Sequence, residues 1–301
     1  MVEKKEKVVY LVPTVDTDPR FYNNCIKSGK NVIGNNFIYE QWAIKKAIKI
    51  IQELMEGKAV FTIHTSPLFR NDFYTLPFLK LWEEVVMMGG ELALHPHEDR
   101  MGGGTYYDDK EHMERIIKDT TLKIRNLSLP LYIFRSGYYA WSQGIPDILK
   151  KMDYKIDISC APGIVNSDRD VNWIGAPRYA CYYDKQKRNC FEGSYFVIPL
   201  GWDGKGGRFE KNHLFCEKGS LNSLCHVWDT LVEEEEEVEV PSFLKIVSFL
   251  YHTFALDDES VCNRITRFIE YVIKHNGVIL TASEAKELYD KKTIKLGNSS
   301  C

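Results

Sequence analysis

The sequence predicts a parallel α/β protein, and three features of the chain support this fold class. Strand-like and helix-like segments alternate about seven times, which is typical of a parallel sheet whose strands are joined by helices. The 301 residues can bury a large core without disulfide or metal crosslinks. The composition, 44% hydrophobic and 27% charged, is that of an ordinary globular protein. A β/α barrel and a doubly wound sheet both fit this alternation, and no linker interrupts it, which predicts one domain over residues 1–301.

The predicted elements follow one another regularly along the chain. Residues 8–15 predict the first strand, with Pro13 as a position that suits a strand end or an edge. An apolar stripe through Ala47 and Ile51 predicts a helix that ends at Gly57. Further strands are predicted at 59–64, 91–95, 131–136, 154–159, 194–203, 243–252 and 277–281, and further helices within 71–90, 108–126, 145–152, 220–232, 258–275 and after 281.

Three segments carry additional signals. Asn71 and Asp72 are capping residues and predict the start of the helix within 71–90, with Pro77 close to its first turn. Residues 160–191 break the pattern and predict an irregular loop, whose aromatic residues form either a sugar-stacking wall or a small core of their own. The acidic run at 233–239 predicts a solvated surface segment.

Charge and composition favour a small-molecule partner. The net charge is −3 and no basic block exists beyond "EKKEK" near the start, so no nucleic-acid face is predicted. No window reaches the roughly 18 apolar residues that span a bilayer. The opening "MVEKKEKVVYLVPTVDTD" lacks the features of a signal peptide, and the eight cysteines form no Cys-x-x-Cys pair. We therefore predict a cytoplasmic protein with reduced thiols.

Ionisable residues recur where the predicted strands end. The carboxyl ends of parallel strands meet at one edge of the sheet, which is where reactive side chains gather in both candidate architectures. Each residue alone has a structural explanation, such as a helix cap or a core histidine, but their repetition at one edge indicates a site. These residues are Asp16, Asp18, His64, His95, His97, Glu98, Asp99, Arg135, Asp157 and His252.

Part of this set could hold a metal ion. Asp18 and His95, together with either His97 or Asp99, offer three nitrogen or oxygen ligands. Three protein ligands are typical of a catalytic zinc-type site, which keeps one position open for water. Such a metal lowers the pKa of its water to about 7 and polarises a substrate carbonyl.

The remaining residues could supply proton transfer. Asp16, close to that water, could act as general base. A neighbouring Arg135 would keep this carboxylate ionised through charge attraction. His252 has a pKa range that suits protonation of a leaving amine. Together these groups predict metal-assisted hydrolysis of an amide or ester.

Four short motifs occur in the order known from one enzyme family. "TVDTD" (14–18) resembles Thr-Phe-Asp-Asp, and "ELALHPHED" (91–99) is similar to "EIGxHxxxH". "RSGY" (135–138) resembles Arg-x-Pro-Tyr with glycine in place of proline, and "LYH" (250–252) matches Leu-x-His. The chain thus resembles, over most of its length, the polysaccharide deacetylases of the NodB-homology type, also called carbohydrate esterase family 4.

The resemblance implies a fold and a set of residue roles. The fold would be a distorted (β/α)7 barrel of parallel strands with outer helices and a groove. The implied roles are Asp16 as base, Asp18 as metal ligand, Arg135 as orienter of the base, the Tyr138 backbone N–H as oxyanion donor, Leu250 as acetyl-pocket lining and His252 as acid.

The chain departs from the family pattern at two places. The second metal histidine of the family falls where this chain has Asp99, so His97 or Asp99 is expected to replace it. The aspartate that supports the acid histidine has no clear counterpart, and we predict Asp157 for this role, with Asp203 as the next candidate. His64 and Trp202 are predicted to line the substrate pocket.

The function predicted from the sequence is metal-dependent N-deacetylation of an acetylamino sugar. Because no export signal is seen, the expected substrate is an intracellular nucleotide-linked or lipid-linked precursor of a surface glycan. The expected cofactor is one divalent ion, with zinc favoured over cobalt or nickel. Two alternatives stay open: a hydrolase of a non-sugar linear or cyclic amide on the same scaffold, and a non-catalytic glycan-binding protein.

Overall fold

The structure is a computed structural model that describes residues 7–32, 37–142, 144–183, 195–234 and 244–298. Most of the predicted acidic surface segment, from residue 235 onward, lies outside these ranges. The strands are β1 Val9–Asp16, β2 Val60–Thr65, β3 Glu91–Pro96, β4 Ile133–Phe134, β5 Ile156–Asp157, β6 Val165–Asn166, β7 Val171–Asn172, β8 Cys181–Tyr183, β9 Tyr195–Val197, β10 Lys245–His252 and β11 Gly277–Ile279. The helices are α1 Tyr22–Ser28, α2 Ile38–Met55, α3 Phe78–Met87, α4 Lys110–Asn126, α5 Ile145–Lys151, α6 Phe209–Asn212, α7 Leu221–Glu233, α8 Glu259–Lys274 and α9 Ala282–Asn298.

The main sheet is parallel and curves back on itself. Its order is β10-β1-β2-β3-β4-β5-β9-β8, with β8 as an antiparallel edge strand and β11 paired to β1. The segment after β9 returns to β10, where Ser248 N–H donates to Pro199 O at 2.7 Å and Gly201 N–H donates to Ser248 O at 2.9 Å. The predicted distorted (β/α)7 barrel is confirmed, and these hydrogen bonds close it in place of a regular ladder.

The interior of the barrel is filled by apolar side chains from its parallel strands. They form one buried cluster, and Ala282 and Ala285 of α9 pack against it at the amino-terminal side of the strands. Because side chains alternate between the two faces of a strand, residues at even spacing beyond this layer also point inward. Its members on the strands include Val12, Val60, Ala93, Ile133, Ile156, Phe196 and Ile246, each of which is at most 3% exposed.

The helices cover the outer face of the barrel, and most begin where the sequence predicts. Asp109 caps α4, accepting the backbone N–H of His112 at 2.9 Å. No helix in the described parts of the chain is long and apolar enough to cross a membrane.

The helix predicted within 71–90 is present but begins later than its capping residues indicate. α3 starts at Phe78 with Pro77 in the N-cap position, and Asn71 and Asp72 lie in turns that precede it. Proline suits a helix start because it lacks the N–H that would have no partner there.

The segment predicted as an irregular loop at 160–191 contains more structure than expected. β6 and β7 form a short antiparallel hairpin, and β8 pairs with β9. Trp173 is 1% exposed and its indole N–H donates to Tyr139 O at 2.8 Å. Tyr179, Tyr182 and Tyr183 also pack into the core clusters, so these four described aromatic residues belong to the core and not to a sugar-stacking wall. Residues 184–191 of the predicted loop lie outside the described ranges.

Candidate active site

A cavity of about 480 Å³ opens at the carboxyl ends of the parallel strands. Its floor is ionisable and its walls are largely apolar. The floor includes Asp16, Asp18, His97, Arg135, Glu217 and His252, and the walls include Ile164, Val171, Phe209, Phe215, Leu250 and Phe254. Strand alternation explains why ionisable side chains point into the cavity floor. Each lies an even number of residues after an apolar side chain that points into the barrel: Asp16 after Val12, His95 after Ala93, Arg135 after Ile133 and His252 after Ile246.

Three imidazoles surround the carboxylate of Asp18. His95 Nε2 lies 3.2 Å from Asp18 Oδ1, His97 Nε2 lies 3.3 Å from Asp18 Oδ2, and His64 Nδ1 lies 2.8 Å from Asp18 Oδ1. One ligand atom from each of the four residues lies within 4.8 Å of the others, and all four residues are buried. The structure thus brings Asp18, His95 and His97 together as the sequence predicts, and adds His64, which was expected only to line the pocket.

The outer contacts of two imidazoles aim their inner nitrogens at a common point. His95 Nδ1 lies 2.9 Å from the carbonyl oxygen of Arg135, which can only accept, so Nδ1 carries a proton and Nε2 is the nitrogen turned toward Asp18. His97 Nδ1 faces Asp99 Oδ2 at 3.8 Å, and the Nε2 atoms of His95 and His97 are 3.0 Å apart. Orientation by an acceptor on the outer nitrogen is typical of metal-ligating histidines. The donor set therefore fits a divalent cation.

The charges in this cluster are strongly coupled. Burial alone would raise the pKa of Asp18, but His97, His95 and the hydrogen bond from His64 hold that pKa well below its usual range. Burial lowers the pKa of His64 to about 4, so this ring is neutral at pH 7 and donates Nδ1–H to Asp18. Burial disfavours the charged form of His97, yet Asp18 outweighs it and raises the pKa of His97 to about 9. A cation bound here would displace the proton that His97 otherwise holds.

Asp16 is held by a buried arginine and keeps one oxygen without a partner. Arg135 Nη2 lies 3.2 Å from Asp16 Oδ2, and Arg135 Nη1 donates to Ile158 O at 2.9 Å. Burial would lower the pKa of Arg135, but Asp16 raises it, so the guanidinium stays charged. Asp16 Oδ1 is buried and has no hydrogen-bond partner among the described residues. A buried acceptor without a partner is costly, and Asp16 is among the residues that line the cavity.

His252 faces Asp16 and is supported by a carboxylate that the sequence did not reveal. Its Nε2 lies 3.8 Å from Asp16 Oδ2 and 3.6 Å from Asp18 Oδ2. Its Nδ1 pairs with Glu217 Oε1. Burial disfavours the imidazolium, but the charge of Glu217 outweighs it and raises the pKa of His252.

Glu217 takes the place that was predicted for Asp157. The side chain of Asp157 accepts hydrogen bonds from the backbone N–H (2.8 Å) and the hydroxyl of Ser159. Ile156 and Ile158 point into the barrel, so alternation turns Asp157 to the other face. Asp203, the next candidate, accepts from Asn212 Nδ2 at 3.0 Å and from Lys205 N–H at 2.7 Å.

Asp99 and Trp202 also do not take the predicted roles of metal ligand and pocket lining, respectively. Asp99 lies outside the four-donor group, because its Oδ2 accepts from Tyr22 Oη at 2.6 Å and its Oδ1 pairs with Arg169. It stands behind His97. Trp202 is not among the residues that line the cavity, and its ring stacks on His213 with centroids 6.3 Å apart.

The turn that carries Tyr138 has an unusual backbone. Tyr138 and Tyr139 have φ values of 55° and 61°, in the left-handed region that side chains rarely adopt. Such residues cost about 1–3 kcal/mol each and cluster at functional sites. The Tyr138 ring lies edge-on to His97, with centroids 4.5 Å apart, and it lines the cavity. Its predicted use as an oxyanion donor through the backbone N–H stays a prediction.

Glu217 could have been found from one weak sequence signal. The preceding stretch "HLFC" (213–216) is fully buried and bridges β10 at Leu250, so it behaves as a short strand that ends in a carboxylate. That pattern repeats the strand-end rule that identified the other ionisable residues. The stretch was too short to stand out from the surrounding loop.

No protein-family model and no curated protein sequence matches the chain. Solved structures do match. A protein assigned as a polysaccharide deacetylase from Mycobacterium smegmatis aligns with a TM-score of 0.63 at 10% identity, over 97% of this chain and 94% of that chain. A protein with the same assignment from Pseudomonas aeruginosa PAO1 aligns with a TM-score of 0.56 at 13% identity, over 92% of this chain and 88% of that chain.

The chain has the fold of the polysaccharide deacetylases. A 4-alpha-glucanotransferase from Thermococcus litoralis shares this fold, with a TM-score of 0.52 at 11% identity, over 92% of this chain and 40% of that chain. A likeness at this identity shows the fold alone, so the reaction of this chain has to be argued from its own site.

Proposed function

We propose that the protein is a metal-dependent hydrolase that removes the N-acetyl group from an acetylamino sugar. The observation that carries this proposal is the convergence of three groups on one cavity: a four-residue donor cluster around Asp18, a carboxylate at Asp16 and an imidazole at His252. Amide hydrolysis requires a polarised carbonyl, a base for the attacking water and an acid for the leaving amine. The deacetylase fold supports the same reaction class.

Asp18, His95 and His97 would hold the metal, with zinc as the ion best suited to one carboxylate and two imidazoles. His64 would support Asp18 through its Nδ1–H, which leaves a coordination position open toward the cavity. When bound, the divalent ion supplies Lewis-acid polarisation of the amide carbonyl and makes a nearby water more acidic.

Asp16 would act as the base. Its carboxylate accepts a proton from the attacking water, while Arg135 pairs with Oδ2 and keeps the carboxylate charged. His252 would act as the acid, giving the proton on Nε2 to the amine nitrogen as the C–N bond breaks. The products are acetate and the free amino sugar. Leu250 would pack against the acetyl methyl group, and the N–H of Tyr138 would stabilise the oxyanion.

Metal analysis and a substrate panel test this proposal. Protein purified without chelator should contain about one equivalent of divalent metal, and chelation should abolish turnover that Zn²⁺ then restores. Acetate release should be measured from acetylamino sugars in free, nucleotide-linked and lipid-linked forms, and from linear and cyclic amides. Release from the amides alone would favour the non-sugar hydrolase. A folded protein that binds sugar without metal or turnover would be the glycan-binding module.

Replacing Glu217 with Gln should shift the pH dependence of turnover. Glu217 raises the pKa of His252, so the active imidazolium persists to higher pH and activity is lost as pH rises through that pKa. With a neutral partner the basic limb of kcat/KM against pH should move down by about one to three units, and kcat should fall more than KM changes.

Two matched variants control this experiment. Glu217→Asp keeps the charge and should retain most of the wild-type pH profile. Glu234→Gln removes a carboxylate that pairs with Arg178 and should leave the profile unchanged. A basic limb that does not move in Glu217→Gln would contradict the assignment of Glu217 as the partner of His252.

A further inference from the structure

His97 lies just beyond the end of β3 and depends on neighbouring groups for its position. Its N–H donates to Thr65 O at 2.6 Å, and its carbonyl accepts from the Tyr22 hydroxyl at 3.3 Å. These hydrogen bonds hold the backbone of His97, but they do not fix the direction of its ring. The alignment of His97 with His95 therefore requires further constraint.

Tyr107 supplies contacts on both sides of His97. Its hydroxyl donates to Pro96 O and accepts from Glu98 N–H, each at 3.2 Å. Because one hydroxyl can donate and accept at once, this single group fixes the peptides that precede and follow His97. Tyr107 is fully buried, so water cannot replace these hydrogen bonds.

Gly137 leaves the space that the His97 ring occupies. A Cβ atom at Gly137 would lie 2.8 Å from His97 Cγ and Cδ2, and 2.4 Å from the Tyr107 hydroxyl. These distances are shorter than any normal contact of a carbon atom. Gly137 does not have a positive φ, so space, and not backbone conformation, explains the glycine.

We infer that Tyr107 and Gly137 form a clamp that positions His97 as a metal ligand. The clamp links two departures from the family motifs, namely a histidine at position 97 and a glycine in place of proline at position 137. A proline at 137 would carry a Cβ atom that collides with the ring of His97. This inference rests on the proposed function only in taking His97 as a ligand. Both are positioning residues, because neither is among the residues that line the cavity and both contact His97 or its flanking peptides.

Metal affinity measured on folded apo protein tests the clamp. Zn²⁺ is titrated against a chromophoric chelator for wild type, Tyr107→Phe, Gly137→Ala and the double variant. Each single variant should bind Zn²⁺ about 10–100-fold more weakly, which is the usual effect of losing an outer contact to a metal ligand. The loss of Zn²⁺ affinity in the double variant should be smaller than the product of the two single losses. The reason is that Tyr107→Phe removes the hydroxyl with which the new Cβ at position 137 makes its shortest contact.

Two control variants have the same chemistry away from His97. Tyr154→Phe removes a buried hydroxyl that contacts Thr121 at 2.7 Å, and Gly144→Ala meets only the flexible side chain of Lys110. Both should bind Zn²⁺ as wild type does. Near-ultraviolet circular dichroism confirms that each apo protein is folded. If Gly137→Ala does not fold, Tyr107→Phe, which removes one atom, decides the matter.

The outcomes separate the clamp from the proposed function. If His97→Ala weakens Zn²⁺ binding while Tyr107→Phe binds as wild type, the clamp is overturned and the metal site stands. If His97→Ala binds Zn²⁺ as wild type does, His97 is not a ligand, and the proposed metal site and the clamp both fail. Selective weakening in the clamp variants, with unchanged controls, supports the inference.

Discussion

Asp16→Asn is expected to abolish turnover while the metal stays bound. The amide of asparagine is nearly the same shape as the carboxylate, but it cannot accept the proton of the attacking water. General bases contribute about 10²–10⁴-fold to rate, so kcat should fall by a factor in that range. Asp16 Oδ2 lies 3.8 Å from His95 Nε2, whereas Asp18 Oδ1 lies 3.2 Å from the same nitrogen. Because Asp16 lies farther from the metal-binding imidazoles than Asp18 does, its replacement should not change the metal content.

The measurement is acetate release by metal-loaded protein, with metal content determined on the same sample. Asp157→Asn is a suitable control, since Asp157 is equally buried but pairs with Ser159 away from the cavity. It should retain turnover. Normal activity in Asp16→Asn would show that another group is the base.

His95→Ala is expected to remove the metal and, with it, all activity. His95 is 1% exposed, and its Nε2 lies close to both Asp18 and His97. Losing a group that only hydrogen-bonds to a metal ligand weakens metal binding by up to roughly 100-fold. Losing His95, a direct ligand, should weaken Zn²⁺ binding by more than that. Asp18→Asn should have the same consequence, because it removes the negative charge at the centre of the cluster.

His64→Ala provides an internal comparison for this prediction. If His64 supports Asp18 through its Nδ1–H, its loss should weaken Zn²⁺ binding by only about 10–100-fold. Metal content after gel filtration, followed by chelator competition, distinguishes the two magnitudes. Retention of one metal equivalent by His95→Ala would refute the ligand set. An equal loss in both variants would instead make His64 a fourth ligand and close the coordination sphere.

The shape of the cavity bears on which substrate fits. The walls above the donor cluster include phenylalanine and aliphatic side chains, among them Val171 of β7, together with polar side chains such as Asn166 of β6. Such walls suit the apolar face of a sugar ring and the methyl of an acetyl group. They also suit a non-sugar amide, which is why the substrate panel includes both classes.

Much of the fold could be predicted from the chain because its signals are local. The alternation of strands and helices is visible in the hydrophobic pattern, and the strand ends are marked by the ionisable residues themselves. The inward rows from Val12 to Asp16 and from Ala93 to His95 follow from strand periodicity alone. What local patterns missed are short elements, such as α1 and the β6–β7 hairpin, which are stabilised by the rest of the structure.

The sequence by itself determined the parallel sheet, the edge on which the site lies, and the grouping of Asp16, Asp18, His95, Arg135 and His252. It could do so because periodicity fixes the facing of each strand and parallel strands end at a common edge. Only the tertiary structure decided that Glu217 and not Asp157 supports His252, that His64 joins the donor cluster, and that Asp99 stands behind His97. These choices depend on contacts between residues far apart in the chain, and loop direction after a strand end is set by packing that no local pattern encodes.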